Sequence, residues 1–333
     1  MSAGPVSEGG LAGDGRARSL AGGRSVGQWV MVRRGPRAEV DPWKVNHALW
    51  EEEPDGRGGK ASIATLFLAA SECAWKCVMC DLWRHTLPGK TPEGAVPRQI
   101  ERALREMPPA RWVKLYNSGS FFDPRSIPPK DHGSIAALCA GFERIIVECH
   151  PALAGARVDE FRGVWRGELE VAMGLETVHP EALRFLNKGI TAEGFAAAAR
   201  SLRAGGFSVR AFVLVKPPLL SEREGVEWAC RSVEFAFEAG VSTVSLIPTR
   251  GGNGVMEDLA GEGLFSPPRL ASLEAAMEHG LGLKSGVALA DVWDLARFSN
   301  CPGCFEARRA RLQRMNLSQA AEPRVACGAC GGN

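Results

Sequence analysis

Ala61-Ser-Ile-Ala-Thr-Leu-Phe-Leu-Ala-Ala70 runs directly into Ser71-Glu-Cys73-Ala-Trp-Lys-Cys77-Val-Met-Cys80, and this junction decides how the chain is read. The first stretch is a short apolar strand. The second carries Cys-x3-Cys-x2-Cys, a spacing that lets three thiolates converge on one small inorganic cluster. A cubane [4Fe–4S] cluster usually takes four cysteines. Only three stand together here, so one iron is left open to a substrate or cofactor. A structural zinc site is the competing reading, but zinc favours paired Cys-x2-Cys knuckles.

Working outward, apolar segments alternate with helical ones. Strands are expected at 112–116, 144–148, 169–173, 208–215 and 241–247, and helices near 97–106, 135–139, 158–164, 181–186, 193–204 and 222–238. Strands alternating with helices imply a parallel sheet with right-handed crossovers. Six such units suit an incomplete barrel better than a flat doubly wound sheet. The predicted fold is α/β, a partial (β/α)6 TIM-like barrel with a small cysteine-rich C-terminal metal module. Reactive centres of such barrels lie at the C-terminal strand ends, where the cysteine loop falls. The predicted organisation is a flexible arm at 1–26, an N-terminal extension at 27–60, the barrel at 61–255 and a C-terminal extension at 256–333.

The chain has 333 residues, 45% of them apolar, and a net charge of +2, so it can build a large core and has no global field to draw it to nucleic acid or membrane. Any nucleic-acid contact must come from a local patch. The glycine- and arginine-containing N-terminus lacks the apolar run of a secretory signal. No segment reaches the roughly 18 apolar residues of a membrane span. A cytoplasmic, reducing location is expected. Of ten cysteines, Cys139, Cys149 and Cys230 lie in apolar surroundings and read as core thiols, while the others sit in clusters that read as metal or Fe–S ligands.

The cysteine loop after a first strand, ahead of six β/α units, resembles the radical S-adenosylmethionine (SAM) superfamily over about residues 60–255. The resemblance implies that Cys73, Cys77 and Cys80 hold a [4Fe–4S] cluster whose open iron is chelated by SAM. It implies that one electron, from a donor such as flavodoxin or ferredoxin, cleaves SAM to a 5′-deoxyadenosyl radical that takes a hydrogen atom from the substrate. By position it places SAM contacts at Ser118, Gly119 and Ser120 after the second strand, at Glu176 after the fourth and at Lys216 after the fifth, with Lys188 a further candidate. The plainer readings of these residues are a turn with Asp123 as a helix cap, an acid at a helix N-terminus, and solvated lysines. Met79 stands where the family usually has an aromatic residue.

Asn117-Ser-Gly-Ser-Phe-Phe-Asp-Pro124, Gly174-Leu-Glu-Thr177 with Asn187-Lys-Gly189, and Lys216-Pro-Pro218 resemble the Elp3-like branch and, within it, the archaeosine-biosynthesis radical SAM family (RaSEA). That resemblance implies a tRNA or nucleoside substrate and a radical lyase step on a lysine-bearing deazaguanine. Glu148-Cys-His-Pro151 departs from the branch's Glu-Ser-Arg-Pro. A small-molecule or peptide substrate, or a non-enzymatic Fe–S or zinc protein, are the alternative functions.

Cys301-x2-Cys304 and Cys327-x2-Cys330 suit tetrahedral Zn2+, with an auxiliary [4Fe–4S] cluster as the alternative. Between them, Arg308, Arg309, Arg311 and Arg314 are expected either to grip RNA phosphates or to form a solvated face. Of the six histidines, His150 is the one singled out, because it follows the third strand. Trp75 is expected to shield the cluster, and Tyr116, the sole tyrosine, to pack beside the expected SAM site with one hydrogen bond or to relay a hydrogen atom.

Overall fold

The computed structural model describes residues 19–331. Residues 1–18, most of the expected arm, lie outside the described residues. Among the described residues, eight strands form one sheet in chain order: β1 (His47–Pro54), β2 (Lys60–Phe67), β3 (Trp112–Tyr116), β4 (Arg144–Glu148), β5 (Glu168–Glu176), β6 (Ser208–Val215), β7 (Thr243–Pro248) and β8 (Val287–Ala290). β1 pairs antiparallel with β2, and β2 to β8 run parallel. Helix α1 (Val26–Arg33) precedes the sheet. The crossovers carry α2 (Ala95–Glu106), α3 (His132–Leu138), α4 (Ala156–Val164), α5 (Pro180–Phe185), α6 (Ala192–Ala204), α7 (Glu222–Glu238), α8 (Val255–Gly261) and α9 (Leu270–Leu283), and α10 (Pro302–Ser318) follows β8.

Residue alternation along the strands separates two faces. Val113 and Leu115 of β3, Val171 and Met173 of β5, and Val209 and Val213 of β6 point outward into the main core with Ile100, Phe161, Phe195, Val233 and Leu273 from the helices. Ala61, Ile63, Trp112, Ile146 and Ala172 point inward and form a separate cluster. Burying each large apolar side chain contributes about 1.5–3 kcal/mol. Helix α7 starts at Ser221, whose hydroxyl accepts from Glu224 N–H while the Glu224 carboxylate accepts from Ser221 N–H at 2.9 Å, a reciprocal cap.

The sheet is strongly curled. Glu53 on β1 accepts from Arg210 on β6 at 2.7 Å, although five strand spacings of about 4.8 Å would separate them in a flat sheet. Helix α10 packs against both edge strands, β1 and β8, and fills the gap between them. The architecture is therefore an incomplete β/α barrel, as expected, with two strands that the sequence pattern did not show. The end of the expected N-terminal extension, residues 53–60, is the end of β1, its hairpin turn and the start of β2, and in the turn the Asp55 carboxylate accepts from the N–H groups of Arg57 and Gly59.

The end of the expected arm is packed: Ala21 is buried, and Ser25 caps α1. The C-terminal extension shares the main core, because Leu273, Leu312 and Met315 belong to the same cluster as Leu66 and Val171. No helix among the described residues is long and apolar enough to cross a membrane.

Candidate active site at the mouth of the barrel

The cysteine loop leaves β2 and is tied down from three sides. Near its start, Gln99 brackets Ala69, accepting from its N–H at 2.8 Å and donating to its carbonyl at 2.9 Å. After β5, Leu186 O accepts from Val78 N at 3.0 Å and Asn187 Nδ2 donates to Lys76 O at 2.8 Å. After β7, Asn253 Nδ2 donates to the carbonyls of Val78 and Cys80 at 2.5 and 3.3 Å. These anchors stretch the loop across the C-terminal strand ends. Glu72 receives Lys76, Arg34 and Arg37. Burial alone would raise its carboxyl, but these three cations outweigh it and hold the group down at about 2.

A second apolar cluster covers the loop. Val78 packs with Ala21, Trp29 and Val30 of the N-terminal segment, Phe185 of α5, and Val255, Met256 and Leu259 of α8. Asp258 accepts from Trp29 Nε1 at 3.3 Å and from Arg33 at 2.5 Å, pinning α1 in place. This cover keeps water from one side of the thiols.

Burial pushes the Cys77 thiol up to about 12, the Cys80 thiol up to about 11 and the Cys73 thiol above its ordinary value. The ammonium of Lys188 opposes this shift at all three. Lys188 Nζ lies 2.6 Å from Glu176 Oε1. Burial disfavours its charge, yet Glu176 and then the Cys77 and Cys73 sulfurs outweigh that and raise its pKa. The donor set therefore fits a cluster cation: three soft sulfurs that lose their protons on coordination, with a buried lysine to offset the charge that accumulates.

The expected SAM contacts divide into two groups. Gly119 lies against Cys73, and an added Cβ would stand 3.6 Å from Cys73 Cα, filling the space beside that ligand. Ser118, half-buried with φ 55°, adjoins it. Glu176 sits at a β-bulge in β5 with φ 65°, its carboxylate on Lys188. The other two are turned away. Ser120 is buried, accepting from His150 N at 3.3 Å and donating to Cys149 Sγ at 3.5 Å. Lys216 was expected to face the mouth, but its ammonium donates to the Ser266 carbonyl and hydroxyl at 2.9 and 2.6 Å and lies 3.1 Å from Glu222.

Sequence reasoning missed Glu148, whose Oε2 accepts from the N–H groups of Asn117 and Ser118 at 2.9 and 3.0 Å and so shapes the loop beside Cys73. His150 holds the cysteine loop from below. Its Nε2 contacts Lys188 O at 2.9 Å, its Nδ1 accepts from Ala152 N, and the Trp75 indole stacks on it at 3.4 Å and 9°. Burial, then Lys188, lowers its pKa to about 4, so the imidazole is neutral.

At the C-terminus, the sulfurs of Cys301, Cys304, Cys327 and Cys330 all lie within 4.8 Å of one another. Cys301 and Cys304 start α10, and the chain returns past Arg311, which donates to Glu322 O, to bring up Cys327 and Cys330. Backbone N–H groups of Ala329 and Cys330 pull the Cys327 thiol down to about 7. The four thiols are thus placed to hold a metal.

The arginine run between the knuckles is not a free basic face. Arg308 and Arg311 are buried and paired with Glu274 and Glu278 of α9, while Arg309 pairs with Glu306 and Arg314 with Glu322. The phosphate-gripping role expected for it is therefore not supported by the geometry.

No protein-family model matches the chain. A Methanosarcina acetivorans protein named archaeosine synthase subunit beta is 27% identical over 255 residues, which cover 73% of this chain and 73% of that protein. A Thermococcus kodakarensis protein of the same name is 28% identical over 198 residues, 55% of this chain and 61% of its own length. The chain is thus similar in sequence to proteins named archaeosine synthase subunit beta. The resemblance read from the cysteine loop and the segments after β3 and β5 agrees with this relationship. Among solved structures, it is similar to Methanocaldococcus infernus Elp3 lacking its N-terminus, at 14% identity and a TM-score of 0.49 over 66% of this chain and 58% of that one. It is also similar to methylornithine synthase (PylB), at 12% identity and a TM-score of 0.49 over 83% and 74%.

Proposed function

We propose that this chain is a radical SAM enzyme that modifies a tRNA base. The observation that carries the reading is the anchoring of Cys73, Cys77 and Cys80 across the C-terminal ends of a curled parallel sheet, against the buried Lys188–Glu176 pair. Cys73, Cys77 and Cys80 would hold a [4Fe–4S] cluster that, with SAM and one electron from a donor such as flavodoxin or ferredoxin, would supply radical chemistry. The chain's residues position and protect that chemistry. Asn187 and Asn253 fix the loop, the cluster around Val78 and Trp29 excludes water, and Lys188 offsets charge. Ser118 and Gly119 are the residues assigned to SAM. Glu176 uses Oε1 on Lys188, which leaves Oε2 for ribose hydroxyls. Ser120 and Lys216 leave the set because their groups are engaged elsewhere.

The tRNA substrate is supported by the kinship with archaeosine synthase beta subunits. Zinc is assigned to the C-terminal thiols. Two of their six sulfur separations, Cys301–Cys327 at 3.9 Å and Cys304–Cys330 at 3.7 Å, match the edge of about 3.8 Å expected of a tetrahedron with Zn–S near 2.3 Å.

Anaerobically reconstituted protein given SAM and a strong reductant is expected to release 5′-deoxyadenosine, and Cys77→Ala to abolish the release. tRNA carrying the modified deazaguanine is expected to show the corresponding mass change. A fully loaded protein that releases nothing, with or without that tRNA, overturns the reading.

A further inference from the structure

The barrel interior is filled only part-way. Inward-facing Ile63 and Thr65 of β2, Trp112 and Lys114 of β3, and Arg210 of β6 are all buried. One layer higher, Phe67, Tyr116 and Phe212 keep part of their rings accessible. The interior therefore opens above these three rings, at the level where β2 passes into the cysteine loop. Below them, Glu53 is paired with both Lys114 and Arg210, and Arg210 with Glu170, a rigid charged base.

The rings contact one another edge to face. Phe67 and Tyr116 stand 6.2 Å apart at 75°, and Tyr116 and Phe212 6.2 Å apart at 85°. The row continues outward through Trp293, in the turn after β8, which lies 5.8 Å from Phe67 and 6.0 Å from His47. Trp293 is 46% exposed. An aromatic wall thus runs from solvent to the floor of the chamber.

We propose that this wall binds a flat heteroaromatic ring, a nucleobase turned out of its stack, with Tyr116 and Phe212 as the floor and Trp293 and Phe67 along the entry. The proposal rests on the tRNA-base reading and specifies how the base is held. A base must leave its stack before enzyme chemistry reaches it, so an entry path from solvent is required. Rings already fixed by their neighbours offer π-faces at little entropic cost, and base–aromatic stacking contributes about 1–3 kcal/mol per base. Burial pushes the Tyr116 phenol up to about 12, so it stays neutral and able to donate to a base edge.

The test uses the intact reconstituted protein and an RNA hairpin with one 2-aminopurine in its loop, a base whose fluorescence falls on stacking. Binding is expected to quench the wild-type complex. Phe212→Leu and Trp293→Ala are each expected to weaken binding about tenfold and restore the fluorescence of the bound probe, with iron content and SAM affinity unchanged. Trp293→Phe, which keeps a π-face, is expected to retain the affinity. A wild-type complex at full fluorescence overturns the proposal, as do variants that keep both quenching and affinity. Free 2-aminopurine riboside separates the two readings. A quenched riboside without hairpin binding supports the wall and removes the tRNA substrate, whereas hairpin binding without quenching supports the tRNA and removes the wall.

Discussion

A Cβ built on Gly174 would stand 2.2 Å from Lys188 Nζ and 2.1 Å from Glu176 Oε1. The Lys188–Glu176 pair occupies the volume that any larger residue at 174 would require. The Gly-Leu-Glu segment is therefore a packing solution: the strand gives up one side chain so that a lysine held after β5 can reach the thiols.

Gly174→Ala is expected to drive Lys188 off Glu176. Overpacking of this kind costs about 1–3 kcal/mol, read from urea unfolding. SAM affinity is expected to fall at least tenfold, read by equilibrium dialysis. A destabilised variant with unchanged SAM affinity would take the ion pair out of the SAM site.

Glu148 gives a pH dependence with a definite sign. Burial, the largest cause, pushes its carboxyl up to about 7, against the N–H groups of Asn117 and Ser118 that favour the charged form. The ordinary value of 4.5 applies to the unfolded chain, so between the two values the folded chain holds the proton more tightly. The contribution to stability is complete below 4.5 and is lost as pH rises through 7. Its size is on the order of 3 kcal/mol, from a shift of about 2.5 units at 1.36 kcal/mol each. Glu72, held near 2, acts only below its own unfolded value of 4.5, but His150, lowered to about 4 from 6.5, adds stability as pH rises between those values and so opposes Glu148 there. Glu148→Gln keeps an accepting oxygen and cannot ionise, so its stability relative to the wild-type chain is expected to rise as pH increases towards 7. Urea unfolding at pH 5, 6 and 7.5 reads it, and a slope that persists in the variant belongs to another group.

The cysteine loop and the six inner strands were legible because their signals are local: spacing for the ligands, apolar runs for strands buried on both faces. β1 was not. Glu51, Glu52 and Glu53 carry no apolar signal, and only Lys114 and Arg210, 61 and 157 residues away, make Glu53 an inward-facing strand residue. Lys216 shows the limit of reasoning from strand ends. Its backbone is at the mouth, but Ser266, 50 residues on, takes its ammonium. Arg308 and Arg311 escaped the sequence reading for the same reason, since their carboxylate partners Glu274 and Glu278 lie on another helix. Glu148 matches the first residue of the branch's Glu-Ser-Arg-Pro, but the sequence did not show its role, because its partners are backbone N–H groups.

The C-terminal thiols are expected to bind one zinc independently of the iron. Cys301→Ser should lower zinc, read by metal analysis, while the brown colour from Cys73, Cys77 and Cys80 remains. Because α10 fills the gap between β1 and β8, the melting temperature of this variant should also fall. Loss of iron instead of zinc would assign the C-terminal site to a second Fe–S cluster.

The pairing of the arginines predicts opposite outcomes for neighbouring residues on α10. Arg308 and Glu274 are each nearly sealed from solvent, with Glu274 accepting from both Nε and Nη2 of the guanidinium. Removing one partner leaves an uncompensated buried charge, so Glu274→Ala is expected to cost about 3–5 kcal/mol. Replacing both, as in Arg308→Met with Glu274→Leu, removes the Arg308 desolvation penalty with the attraction and should recover part of that loss, the remainder reflecting buried Arg311, which also lies 3.4 Å from Glu274. Arg309→Ala breaks only the exposed pair with Glu306 and should change stability by less than about 1 kcal/mol. The same set addresses RNA binding. If Arg309 and Arg314 are held by Glu306 and Glu322, the double variant Arg309→Ala/Arg314→Ala should leave the salt dependence of tRNA affinity nearly unchanged. A drop in the slope of log affinity against log salt by about one per arginine would mean that RNA displaces the glutamates, restoring the phosphate-gripping role to this helix.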